Sequence, residues 1–84
     1  MTFEYAIRDE LGIHARPAGL IVSEAKKYSS AIEVECKGKK ADAKRIFALM
    51  SLGAKCGDFL RVTCTGEDEE AAAAGLKAVI TENL

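Results

Sequence analysis

The residues of this chain best suited to chemistry lie in Leu11-Gly12-Ile13-His14-Ala15-Arg16-Pro17-Ala18, where the only histidine and the only proline flank an arginine. Imidazole changes charge near neutral pH and can act as a nucleophile or base. A guanidinium two residues away offers a fork of donors suited to oxyanions. Proline fixes φ near the helical value and lacks an N–H, so it suits the first turn of a helix, where that donor has no intrahelical partner. The spacing therefore predicts a helix beginning at Ala15 or Arg16, with His14 at its N-terminal mouth. Unpaired N–H groups there, with about half a positive charge from the macrodipole, favour an anion such as phosphate. A positive dipole end also disfavours imidazolium, which leaves one ring nitrogen free to attack. Once that nitrogen carries a phosphoryl group, the helix N-terminus at Ala15, Arg16 and Pro17 and the Arg16 guanidinium can share the new charge. On its own, a histidine beside a proline is more simply read as a helix-capping polar residue, and the helix mouth and Arg16 are what favour chemistry.

The rest of the chain must position that mouth. Phe3, Tyr5 and Ile7 alternate with Glu4, Ala6 and Arg8 as a strand with one apolar face. Ala18, Ile21, Val22, Ala25 and Tyr28 follow at helical spacing, ending near Lys26-Lys27, where cations suit the dipole. Leu20 lies off that stripe, on the side of Arg16. Ile32, Val34 and Cys36 alternate with Glu33 and Glu35, Lys37-Gly38 turns the chain, and Lys39 to Ala43 returns as a third strand. A second helix is expected in Ile46 to Leu52, stopped by Gly53, before a loop from Lys55 to Asp58. Leu60, Val62 and Cys64 then mark a fourth strand. Gly66-Glu67-Asp68-Glu69-Glu70 opens a last helix with acids in its first turn and Ala72, Leu76, Val79 and Ile80 on its buried stripe. The order βαββαβα, with strands polar on one face, implies an α+β two-layer domain whose sheet is open to water on one side.

Composition limits the function classes. At 84 residues, 49% hydrophobic and 30% charged, the chain has the size and content of one soluble globular domain, spanning 1-84. No basic leader precedes an apolar run, and no segment reaches the roughly 18 apolar residues of a membrane span, so a cytoplasmic protein without membrane insertion is expected. Cys36, Cys56 and Cys64 are odd in number and lack C-x-x-C spacing, which points to reduced thiols, with neither a disulfide framework nor a metal site. No cofactor motif is present. Net charge is −1 but uneven: residues 37 to 61 sum to +5 and residues 62 to 84 to −4. No aromatic interleaves the basic run, which argues against nucleic acid and for an acidic protein partner, or else a solvated hairpin.

The second helix carries too much apolar surface for its length. At 100° per residue, Ala48, Leu49 and Leu52 share one side, while Ile46, Phe47, Met50 and Ser51 share the other. A small domain has no further layer for the second set, so part of it is expected to be an exposed contact patch.

Taken whole, the chain resembles the HPr family, the histidine-containing phosphocarriers of the phosphoenolpyruvate-dependent sugar phosphotransferase system. Gly12-Ile13-His14-Ala15-Arg16-Pro17-Ala18 looks like the family's active-site motif. Ala43-Lys44-Arg45-Ile46-Phe47-Ala48-Leu49-Met50-Ser51-Leu52-Gly53 looks like its second-helix motif, and Gly57-Asp58 leads into the last strand. The resemblance implies an open-faced β-sandwich, a four-stranded antiparallel sheet covered on one side by three helices. It also implies phosphorylation of His14 on Nδ1 by enzyme I, transfer to sugar-specific IIA components, Arg16 as the active-site arginine, and docking through Leu20, Ile46, Phe47, Met50 and Ser51. Such a chain is a monomeric carrier rather than an enzyme with its own turnover, and regulatory proteins are further partners.

Two positions depart from the family pattern. Many relatives hold a regulatory serine where this chain has Arg45, and some place Asn or Ser at the position of Leu11. A nitrogen-type or similar regulatory phosphocarrier would share the chemistry and differ in partners. A pure interaction domain would use the patch and never be phosphorylated.

Overall fold

The computed structural model describes residues 1–84. Seven elements follow in order: β1 (Thr2–Ala6), α1 (Ala15–Ala25), β2 (Ala31–Cys36), β3 (Lys39–Asp42), α2 (Ile46–Ser51), β4 (Phe59–Thr65) and α3 (Glu69–Asn83). The four strands form one antiparallel sheet in the order β1-β4-β2-β3. The expected α+β architecture and open-faced sandwich are therefore observed. The last strand, β4, lies between the first two, so β1 and β2 run parallel without touching.

Period-two alternation decides which face of the sheet each side chain joins. Ile32, Val34 and Cys36 of β2 and Leu60, Val62 and Cys64 of β4 point inward and are almost wholly buried. Their neighbours face water, where Glu4 meets Arg61 at 3.2 Å and Glu33 meets Lys40 at 4.0 Å. Ile21 of α1, Leu49 of α2 and Leu76 and Ile80 of α3 complete one hydrophobic cluster of 21 buried residues. Each such aliphatic side chain contributes about 1.5 to 3 kcal/mol by leaving water. The Cys36 and Cys64 thiols are part of that cluster, and burial pushes both above the usual thiol range. Cys56 is exposed in a turn.

The β2–β3 hairpin closes through Lys37 and Gly38, both with positive φ, at 53° and 82°. Paired left-handed residues match the twist of the flanking strands. Lysine has no local preference for this conformation, and Lys37 is held by a 3.0 Å ion pair with Asp58.

Boundaries differ from expectation by a few residues. α1 ends at Ala25 with Lys26 at the cap, so Tyr28 sits beyond the helix, where its hydroxyl donates to Glu24 at 2.7 Å. β3 stops at Asp42, because the Asp42 carboxylate accepts the Lys44 N–H and turns the chain. α3 begins at Glu69, since Asp68 is drawn into contacts with Ser29 and Ser30. On α3, Ala73 is buried and Val79 only half-buried.

Candidate functional site

β1 ends at Ala6, and the chain reaches α1 through a loop with little freedom. The Asp9 carboxylate accepts the Leu11 N–H at 3.0 Å and the Asp9 carbonyl accepts the Gly12 N–H at 3.0 Å, closing a tight turn. Gly12 then passes directly over the segment before β4. Its φ is +66°, and a Cβ there would lie 2.1 Å from the Ala54 carbonyl oxygen, so only glycine fits. Ile13 is buried, and its N–H donates to that same Ala54 carbonyl at 3.1 Å. Two anchors thus fix the backbone immediately before His14.

His14 is the N-cap of α1, extended at φ −109° and ψ −174°, and its side chain makes no capping hydrogen bond. Its carbonyl accepts the Ala18 N–H at 3.0 Å, the first bond of the helix. Ala15, Arg16 and Pro17 form the first turn, as the proline required. The N–H groups of Ala15 and Arg16 have no partner and Pro17 has none to offer, so two free donors point out of the mouth. Pro17 and Ala18 are buried and anchor the turn, whereas Arg16 is exposed and enters no ion pair. The imidazole is about one-third exposed, enough for a partner's group to reach it.

The fold brings one further carboxylate to the site, which the motif alone does not single out. Asp9 Oδ2 lies 3.9 Å from His14 Nε2. The spacing Asp9-x-x-Gly12, typical of an aspartate-initiated turn, was the available signal. Leu11 is strongly exposed and offers only its N–H, so no side-chain hydrogen bond to His14 comes from that position.

The apolar residues assigned to a patch separate into two groups. Phe47 is 81% exposed, and Leu20 and Met50 are about 40% exposed, whereas Leu49 and Leu52 are buried. Ile46 corrects the expected division of faces: it is half-buried and packs against the core, with its Cδ1 reaching Gly19 of α1. The Ser51 hydroxyl donates to the Ala48 carbonyl at 2.8 Å, so it is already engaged within α2. Much of the basic run is also internally matched. Lys37, Lys40 and Arg61 pair with acids and Lys44 Nζ donates to the Tyr28 carbonyl at 2.9 Å, leaving Lys39, Arg45 and Lys55 unpaired.

No three His, Cys, Asp or Glu side chains assemble as a metal site. No helix is long and apolar enough to cross a membrane. The mouth of α1 presents one imidazole and two free N–H donors on an open surface, with the exposed Arg16 in the same turn.

The family model described as PTS HPr component phosphorylation site matches residues 1–82. The phosphocarrier protein HPr of Mycoplasma genitalium is 42% identical over 82 residues, covering 96% of this chain and 93% of the relative. The protein of the same name from Lysinibacillus sphaericus is 41% identical over 81 residues, covering 96% and 92%. Among solved structures, HPr from Thermoanaerobacter tengcongensis has a TM-score of 0.91 at 40% identity, covering 98% of this chain and 92% of that one. A histidine-containing phosphocarrier protein from a mycoplasma has a TM-score of 0.95 at 30% identity, covering 98% and 93%.

Proposed function

Since the chain belongs to the HPr family of phosphocarrier proteins, we propose that its His14 accepts a phosphoryl group from enzyme I and passes it to sugar-specific IIA components. The observation that carries this reading is the pair of free N–H groups, Ala15 and Arg16, beside the only imidazole of the chain. In this reading the Nδ1 lone pair attacks phosphorus, the bond from phosphorus to the donor breaks, and its electron pair leaves with the donor. The new charge is taken up by the first-turn N–H groups and the Arg16 guanidinium. An attacking atom on the acceptor then breaks the Nδ1–P bond, returning the pair to the ring. Exposure of the imidazole fits a carrier, because both partners must reach the same nitrogen in turn. Leu20, Phe47 and Met50 are the apolar surface on which they would dock.

Incubation with phosphoenolpyruvate and purified enzyme I, followed by intact mass, tests the reading. One phosphoryl group should be added, and the adduct should be acid-labile and base-stable, as a phosphoramidate is. His14→Ala should abolish it, and labelling that survives in that variant would overturn the assignment. Arg16→Ala should slow transfer at least tenfold, because a charge-assisted hydrogen bond contributes about 1.5 to 3 kcal/mol.

A further inference from the structure

Asp9 is the only ionisable side chain that pairs with His14, and every part of it other than one oxygen is held elsewhere. Its N–H donates to the Leu84 oxygen at 2.7 Å, its carbonyl accepts the Gly12 N–H, and Oδ1 accepts the Leu11 N–H. Oδ2 is left 3.9 Å from Nε2 of His14. Turning the imidazole toward Asp9 would close that gap to a hydrogen bond, as such contacts commonly tighten when a reactive complex forms. The carboxylate can only accept, so the ring nitrogen facing it must carry the proton. The other nitrogen, Nδ1, then keeps its lone pair. The two nitrogens lie on different edges of the ring, so the negative charge of Asp9 is held away from an incoming phosphoryl group.

We propose that Asp9 is a positioning residue for His14: by accepting a hydrogen bond from Nε2–H it selects the tautomer and ring orientation in which Nδ1 is the nucleophile. This rests on the reading that His14 is the phosphoryl acceptor. Both side chains are about one-third exposed, so the coupling is modest. A partly exposed pair contributes up to about 1 kcal/mol, which corresponds to about fivefold in rate.

Two variants separate this role from a structural one. Asp9→Asn keeps an Oδ1 acceptor for the Leu11 N–H but turns an NH2 toward Nε2, which forces that nitrogen to accept and moves the ring proton to Nδ1. Asp9→Ala removes the Leu11 acceptor as well and frees the ring, whose solution preference is already Nε2–H, so what it loses is the orientation of the imidazole. Phosphorylation by enzyme I and phosphoenolpyruvate should therefore slow about fivefold in Asp9→Ala, chiefly in kcat, and further still in Asp9→Asn. A residue acting only through the turn gives the reverse order, with Asp9→Ala the worse. The 15N shifts of His14 in the unphosphorylated protein provide the second measurement. Wild-type neutral imidazole should carry its proton on Nε2, and Asp9→Asn should show a larger Nδ1–H population. Unchanged 15N shifts in Asp9→Asn, or an Asp9→Asn rate equal to or above that of Asp9→Ala, would overturn the proposal. The 15N measurement requires no phosphoryl transfer, so it tests Asp9 even where the mass experiment refutes His14 as acceptor.

Discussion

Ser30, almost fully buried, directs both its backbone N–H and its hydroxyl onto the carboxylate of Asp68, which lies at the start of α3. The Ser29 N–H donates to the second oxygen of the same carboxylate at 2.9 Å. One side chain thereby ties the loop between α1 and β2 to the first turn of α3. It also satisfies the Ser30 hydroxyl, which would otherwise be a costly unpaired group in the interior.

Acid should loosen this tie. The Ser30 hydroxyl and the serine N–H groups hold the Asp68 carboxyl below its ordinary range. A depressed folded pKa gives stability that is present above the unfolded value, near 3.9, and is lost as pH falls through the folded one. Asp68→Asn should lower the urea midpoint at pH 7 and flatten its decline on acidification below about pH 5. The decline should persist in part, because Glu24, Asp58 and Glu69 are depressed as well, Glu24 chiefly by the Tyr28 hydroxyl and Asp58 by the Lys55 N–H. An Asp68→Asn midpoint that follows wild type across the whole range would show that the three hydrogen bonds do not favour the ionised form.

The loop before His14 should be the least tolerant of added bulk. Gly12→Ala combines a left-handed φ with overlap against the Ala54 backbone, whereas Gly53→Ala, at φ +65° with nothing within 4 Å, carries the φ penalty alone. That penalty is about 1 to 2 kcal/mol. Gly12→Ala should therefore lower Tm by clearly more than Gly53→Ala, on a scale of about 4 to 8 °C per kcal/mol for a domain of this size. Equal shifts in the two variants would mean that the backbone moves aside at no cost.

Phe47→Ala and Met50→Ala should weaken binding to enzyme I by about 1 to 2 kcal/mol each while leaving Tm nearly unchanged. Ile46→Ala is the internal contrast, because Ile46 packs against the core and its truncation should cost stability. Calorimetric titration of the three variants, beside their melting curves, checks the division. A large Tm loss at Phe47 would reverse the two faces of α2.

The elements were legible because periodicity reports a face wherever one face is buried. Val34 and Glu35, or Leu60 and Arg61, alternate because the sheet has water on one side only. The His14 mouth was legible because Pro17 constrains its own backbone and needs no tertiary partner to do so. The turn at Asp9 is legible in Asp9-x-x-Gly12, but its approach to His14 is not, because that depends on Gly12 crossing the Ala54 carbonyl, a contact between segments 42 residues apart in the chain. Ile46 departs from its projected face for a similar reason. A helical projection assigns an angle, and the neighbouring α1, presenting Gly19 at that angle, decided what was covered.

Arg45 occupies the N-cap of α2 in extended conformation, φ −125° and ψ 113°, without any capping hydrogen bond. Serine is a favoured residue there, and a cation opposes the positive end of the helix dipole. Arg45 is also one of three basic side chains between residues 37 and 61 that no acid or carbonyl engages, and it immediately precedes the helix that carries Phe47 and Met50. Its local cost is therefore consistent with a role in steering acidic partners toward that surface. Arg45→Ser should raise stability by about 0.5 to 1 kcal/mol through capping, and slow association with enzyme I at low ionic strength, with the difference vanishing in high salt. A permanent cation at this position also leaves no hydroxyl for a serine kinase, so incubation with an HPr kinase and ATP should label Arg45→Ser and not the wild-type chain. Labelling of wild type, at Ser51 for example, would refute this insulation, and an unchanged low-salt association rate in Arg45→Ser would separately refute the steering.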